Sequence, residues 1–126
     1  LNNLKHVYFS NPAAVITSDT MYDFKVSDLL ISDTSSILYE YLITGNPIIV
    51  IQNQYKDLHT MPDDLNIMKH VSMFTGSESI LDMVNRDLSK TTSRDTYNTL
   101  LNNCFYFNDG NSVDRAKKFI ESIQWL

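Results

Sequence analysis

The sequence has 126 residues, enough for one domain with one core and too few for two ordinary ones. Hydrophobic residues at 43%, aromatics at 11% and charged residues at 20% exclude disorder, collagen-like repetition and a disulfide scaffold, and three Gly with three Pro argue against a turn-dense β sandwich. Ten basic against 15 acidic residues leave a net charge of −5, which argues against nucleic-acid partners and anionic membranes but leaves a local anion site open. The lone Cys104 can form no internal disulfide, which fits a reducing compartment, and beside Phe105 it reads as a core residue rather than a reactive thiol. No apolar run approaches the roughly 20 residues of a membrane helix, and Leu1 to Lys5 hold no signal peptide.

In chain order, the sequence opens on Leu1 and enters a strand-like run at His6 to Phe9, closed by Asn11-Pro12. That start reads as a piece of a longer chain, although an arbitrary boundary or trimming fits equally. Asp19 can open a helical turn over 19–26, with Met21, Tyr22 and Phe24 partly buried. Leu29, Leu30 and Ile31 form an apolar run typical of a parallel strand covered on both faces. Ile37, Leu38, Tyr41 and Leu42 then recur at helical spacing, and Gly45 stands where a helix should end. Pro47 leads into Ile48 to Ile51, a second buried strand. Residues 28–51 therefore predict a βαβ unit with a right-handed crossover.

Residues 52–70 are polar and without period, a loop with a helical turn, and Val71 to Thr75 is a weak strand. Ser77 can cap a helix burying Ile80, Leu81, Val84 and Leu88. Ser93 can cap the next, in which Tyr97, Leu100, Leu101, Cys104 and Phe105 share one face. Asn108-Asp109-Gly110 is a turn, and Ser112 can cap a last helix with Val113, Ala116, Phe119, Ile120 and Ile123 inward. The class is α/β, with a sheet of three or four strands.

The chemistry concentrates in Ser32 to Ser36, between a strand's carboxyl end and a helix start. Open α/β sheets bind ligands there. A helix start leaves N–H groups unpaired and partly positive, small hydroxyl residues let a phosphate approach, and the same residue types also serve as plain caps, so Asp33 or Thr34 as a cap stays open. Glu40 lies four residues past Ser36, on the same face, where a carboxylate can accept both hydroxyls of a ribose; a solvated helix residue is the other reading.

The run from Asp28 to Tyr41, followed by Gly45-Asn46-Pro47-Ile48-Ile49-Val50, resembles the CDP-glycerol:poly(glycerophosphate) glycerophosphotransferases of teichoic-acid and capsule synthesis. Asn108 to Ser112 resembles the same family's closing Asp-Gly turn, so the likeness covers about residues 4–51 and 105–124. It implies a GT-B architecture, with residues 1–126 as most of a single, truncated C-terminal nucleotide-binding domain. The more distant UDP-N-acetylglucosamine 2-epimerases share the acidic start, the Glu seven residues on and the Gly-x-Pro. By this resemblance Asp33, Thr34, Ser35, Ser36 and Glu40 are the substrate-binding residues: the hydroxyls cradle a diphosphate and Glu40 holds the ribose. Thr34 replaces the family's usual Tyr and Asn46 its usual Lys. The family's His-containing motifs are not visible here, so no catalytic residue is assigned.

The implied partners are CDP-glycerol or a related nucleotide-activated donor, an N-terminal domain of the same chain and, through the whole enzyme, a polymer acceptor. The implied location is cytoplasmic, with the parent peripheral at the inner membrane face. No cofactor is expected. Neither is a metal site: His6, His59 and His70 are far apart and read as ordinary residues, and Asp63-Asp64 after Pro62 reads as a solvated pair or helix start. Arg115 with Lys117-Lys118 reads as a solvated face, and Trp125 as a residue that docks on a further domain or packs in the core. A sugar-nucleotide glycosyltransferase or epimerase of the same architecture is the alternative enzyme. A non-catalytic α/β interaction domain is the alternative of another class.

Overall fold

The computed structural model describes residues 20–53, 61–90, 94–105 and 109–123. The expected strand at 6–9, Asp19, Ser93, Asn108, His6, His59 and Trp125 lie outside them.

Helix α1 spans Thr20–Val26 and turns Phe24 inward, while Met21 and Tyr22 stay exposed. Strand β1 (Leu30–Ser32), helix α2 (Ile37–Tyr41), a 3-10 turn (Leu42–Thr44) and strand β2 (Ile48–Ile51) follow. A second 3-10 turn (Ile67–Lys69) precedes strand β3 (Ser72–Phe74). Helices α3 (Ile80–Ser89), α4 (Arg94–Cys104) and α5 (Ser112–Ser122) complete the order. The sheet is parallel, in the order β1-β2-β3, with Leu30 opposite Ile48 and Val50 opposite Met73.

The expected βαβ unit is present, with one correction. β1 is an edge strand among the described residues, and Ile31 is 43% exposed rather than covered on both faces. β2 is the covered one. Ile48 and Val50 join Phe24, Leu38, Tyr41, Leu42, Ile67, Tyr97 and Leu100 in one core, and Ile49, buried too, alternates to the opposite face. α2 and α4 thus cover one face, and α3 packs against β3.

Tyr41 fastens α2 inward: its hydroxyl lies 3.0 Å from Ser27 Oγ and donates to the Ser27 carbonyl at 3.2 Å, and its ring meets Phe24 edge-on at 5.1 Å. Gly45 ends the 3-10 turn with φ of 72°, a conformation that carries a steric penalty for residues with a Cβ, and donates to the Leu42 carbonyl.

The helix faces differ from expectation at three places. α3 is capped by Ser79 rather than Ser77, and its inward residues are Met83 and Asp87, with Ile80 and Val84 half-buried; Leu81 is 69% exposed and Leu88 is exposed too. Asp87 takes the place on the i, i+3, i+4, i+7 face that an apolar pattern search passes over. α4 turns Tyr97 and Leu100 inward, with Leu101 and Cys104 half-buried and Phe105 at its exposed end. α5, capped by Asn111 rather than Ser112, buries no residue, so its apolar stripe faces outward.

Candidate functional site

Ser32 ends β1, so residues 33–36 stand at the carboxyl edge of the parallel sheet. Ser36 is the N-cap of α2, in helical geometry and with no side-chain cap hydrogen bond; neither Asp33 nor Thr34 takes the cap position. The first turn is closed by the backbone, through Ser35 and Ser36 carbonyls accepting from Leu38 and Tyr39. α2 runs only 5 residues before it tightens to 3-10. Its dipole is therefore that of little more than one turn, and with the Leu38, Tyr39 and Glu40 N–H groups already bonded within the turn, attraction for an anion rests on the hydroxyls.

With Leu38 and Tyr41 turned inward, Ser36 and Glu40, one turn apart, are left on the outer face. Both line a groove of about 450 Å³ that opens beside α2. Its second wall is the 61–65 segment, through Met61 and Leu65, and its floor is the end of α4, through Cys104 and Phe105. A smaller depression of about 150 Å³, lined by Met21, Ile43 and Leu101, shares Glu40 and Phe105 with the groove. Asp33, Thr34 and Ser35 are not in the groove lining and sit in the turn before it. The structure thus brings Ser36 and Glu40 together and leaves the other three at the edge.

Burial, foremost, and nearby Cys104 push the Tyr39 phenol above its ordinary value, against a backbone hydrogen bond at Ile67. Burial, followed by the charge of Asp64, raises the Cys104 thiol. At neutral pH both groups in the groove stay protonated, so Cys104 is a packing residue there and Tyr39 a donor. Among the described residues, Glu40 is the acidic group of the lining, and no Lys or Arg joins it. The arrangement suits hydroxyl-rich and apolar parts of a ligand better than an isolated phosphate.

Asn46, at the position of the resembled family's Lys, donates through Nδ2 to the Ser27 carbonyl at 2.8 Å. It ties the entry of β2 to the α1–β1 connection, on the edge of the sheet away from Ser36. His70 is exposed at the end of the second 3-10 turn. Tyr39, Met61, Leu65 and Cys104 are groove residues that pattern reading misses: the first and last look like helix packing, and 61–65 has no period at all.

A family model described as CDP-glycerol:poly(glycerophosphate) glycerophosphotransferase matches residues 7–122. The chain belongs to this glycerophosphotransferase family. The match runs through the middle stretch that carries no distinctive motif, and so takes in both the α2 side of the groove and its 61–65 wall. No curated protein and no solved structure matches the chain. The family is one of transferases, and the three-stranded parallel sheet of the described residues, flanked by helices, is consistent with a Rossmann-like α/β fold.

Proposed function

We propose that the chain is the donor-binding, C-terminal part of a GT-B enzyme that moves glycerol phosphate, or a related polyol phosphate, from a CDP-activated donor to a cell-wall or capsule polymer. The observation that carries this reading is the pairing of Ser36 and Glu40 on one groove at the carboxyl edge of the sheet, inside the family match. Glu40 accepts from the ribose hydroxyls, the base lies against Met61, Leu65 and Phe105, and the diphosphate reaches toward Ser35 and Ser36. The acceptor hydroxyl attacks the β-phosphorus in line. Its oxygen forms the new P–O bond, the bond to the bridging oxygen breaks, CMP leaves with that oxygen, and the acceptor's proton passes to a base.

This chain's part is to orient the nucleotide and to stabilise charge on the leaving CMP through the Ser35 and Ser36 hydroxyls at the α2 start. Among the described residues the groove lining has no Lys or Arg, and we assign the remaining neutralisation and the base to an N-terminal domain facing it. The chain by itself then releases no CMP from CDP-glycerol and a primer; turnover above the buffer control would defeat the two-domain reading. Among the described residues no helix is long and apolar enough to cross a membrane. The parent works peripherally at the cytoplasmic face, where activated donors are made.

Isothermal titration of CDP, CMP and pyrophosphate tests the site. Replacing Ser35 and Ser36 by Ala should weaken CDP about ten- to a hundredfold for each lost bond to a charged group. Melting temperature should stay put, since the Ser36 side chain makes no cap bond. Wild-type affinity for CDP in that double variant would move the phosphate cradle elsewhere. Tighter binding of UDP-N-acetylglucosamine than of CDP-glycerol would favour a sugar-nucleotide enzyme, and no nucleotide binding at all an interaction domain.

A further inference from the structure

The 61–65 wall of the groove belongs to the connection between β2 and β3, and among the described residues its own bonds are local. Leu65 donates to the Pro62 carbonyl at 3.0 Å and Asn66 to that of Asp63 at 3.4 Å, while Lys69 pairs with Asp63 at 2.7 Å across the turn. Among the described residues, two side chains from elsewhere in the fold reach it. From α2, the Tyr39 hydroxyl stands 3.0 Å from the Leu65 carbonyl and 3.1 Å from Met61 Sδ. A hydroxyl has a single proton, and the carbonyl is the stronger acceptor, so the proton goes to Leu65 and the sulfur is a close neighbour. From α4, Asn103 Nδ2 donates to the Asp64 carbonyl at 3.0 Å. Tyr39 and Asn103 are also groove-lining residues, so the wall is fastened from both sides at the place where it faces the cavity.

We infer that Tyr39 and Asn103 are positioning residues, which hold the 61–65 wall at the width that closes on a nucleoside anchored by Glu40. The inference rests on the nucleotide reading of the groove. Both tethers end on backbone carbonyls, so they hold the shape of the segment whatever side chains it carries. Without them the wall spends part of its time away from the groove, and apparent affinity falls by the fraction of time it is in place.

Tyr39→Phe keeps the ring and removes the hydroxyl. It should weaken CDP and CMP about three- to tenfold, the effect of one neutral hydrogen bond, and leave pyrophosphate unchanged because that ligand does not reach the wall. Asn103→Ala should act in the same direction. In a Met61→Ala/Leu65→Ala background, Tyr39→Phe should add nothing, since the wall it positions is gone; a general structural role would instead weaken every ligand and lower the melting temperature in both backgrounds. Amide hydrogen exchange over 61–66 should quicken in Tyr39→Phe. Unchanged CDP affinity in Tyr39→Phe, or a full additional loss in the truncated background, overturns the inference while Glu40→Gln still weakens CDP. Failure of the wild-type chain to bind CDP overturns the nucleotide reading itself and this inference with it.

Discussion

α2 and α5 make an instructive pair. α2 has 5 residues and turns Leu38 and Tyr41 fully inward, whereas α5 has 11 residues, a clear apolar stripe and no buried side chain. Val113 is 79% exposed and Phe119 68%. The shorter helix is held because β2 lies beneath it and the Tyr41 hydroxyl reaches Ser27. The longer one keeps its start through Asp109, whose carboxylate meets Arg115 with two hydrogen bonds of 2.9 Å, and through helix-local bonds. An amphipathic pattern records that a helix needs a partner; it does not supply one.

The largest effect that sharpens this contrast is in the core. Leu38→Ala should destabilise the chain by about 2–5 kcal/mol in urea unfolding, as a fully buried leucine leaves a cavity. A loss below about 1 kcal/mol would mean that α2 is not packed against the core.

Next is Asp87, a buried carboxylate on α3 held by Lys90 at 2.7 Å and Arg86 at 3.4 Å. Burial is the strongest single influence and acts to raise it. Hydrogen bonds from Lys90 and Ser72, the Lys90 charge and the Arg86 bond together outweigh that, so Asp87 lies below the ordinary aspartate value of 3.8. A depressed folded-state value stabilises above the unfolded-state value, and the contribution disappears as pH falls through the folded one. Melting temperature should therefore drop as pH goes below 3.8, and Asp87→Asn should flatten that drop while lowering stability at pH 7. Asp109 is also held low, chiefly by its hydrogen bond with Arg115, so its contribution too is lost in acid, and Asp109→Asn is the needed comparison. If it removes more of the acid dependence than Asp87→Asn, the exposed turn matters more than the buried pair.

Glu40→Gln touches the exposed side of α2 and should leave melting unchanged. It should weaken CDP about tenfold, toward the lower end for a bond to a charged group, because the amide keeps one acceptor. Pyrophosphate, having no ribose, should bind as before; equal loss of both ligands would remove Glu40 from the ribose. The smallest effect belongs to α5, where Phe119→Ala should change stability by no more than about 0.5 kcal/mol. A loss comparable to that of Leu38→Ala would show that this stripe is covered in solution.

Much of the chain was open to reading from local chemistry. Apolar runs at 29–31 and 48–51, helical spacing from Ile37 to Leu42 and Gly45 after it are all short-range signals, and they announce a βαβ unit because backbone geometry repeats every two or 3.6 residues. The same repeat places Glu40 one turn from Ser36, and the family likeness rests on that run. Strand order, the exposure of Ile31 and Leu81 and the inward place of Asp87 depend on what stands opposite, which no local pattern encodes. The groove is the clearest case. Met61, Leu65, Tyr39 and Cys104 come from separate segments, and only the folding of α2, the 61–65 turn and α4 around one core puts them on a common surface. Sequence alone determined which residues bear the chemistry at the strand end, because side-chain type and spacing are local properties. Tertiary structure decided which of them share a cavity, because a wall needs side chains that chain separation keeps apart until the core is packed.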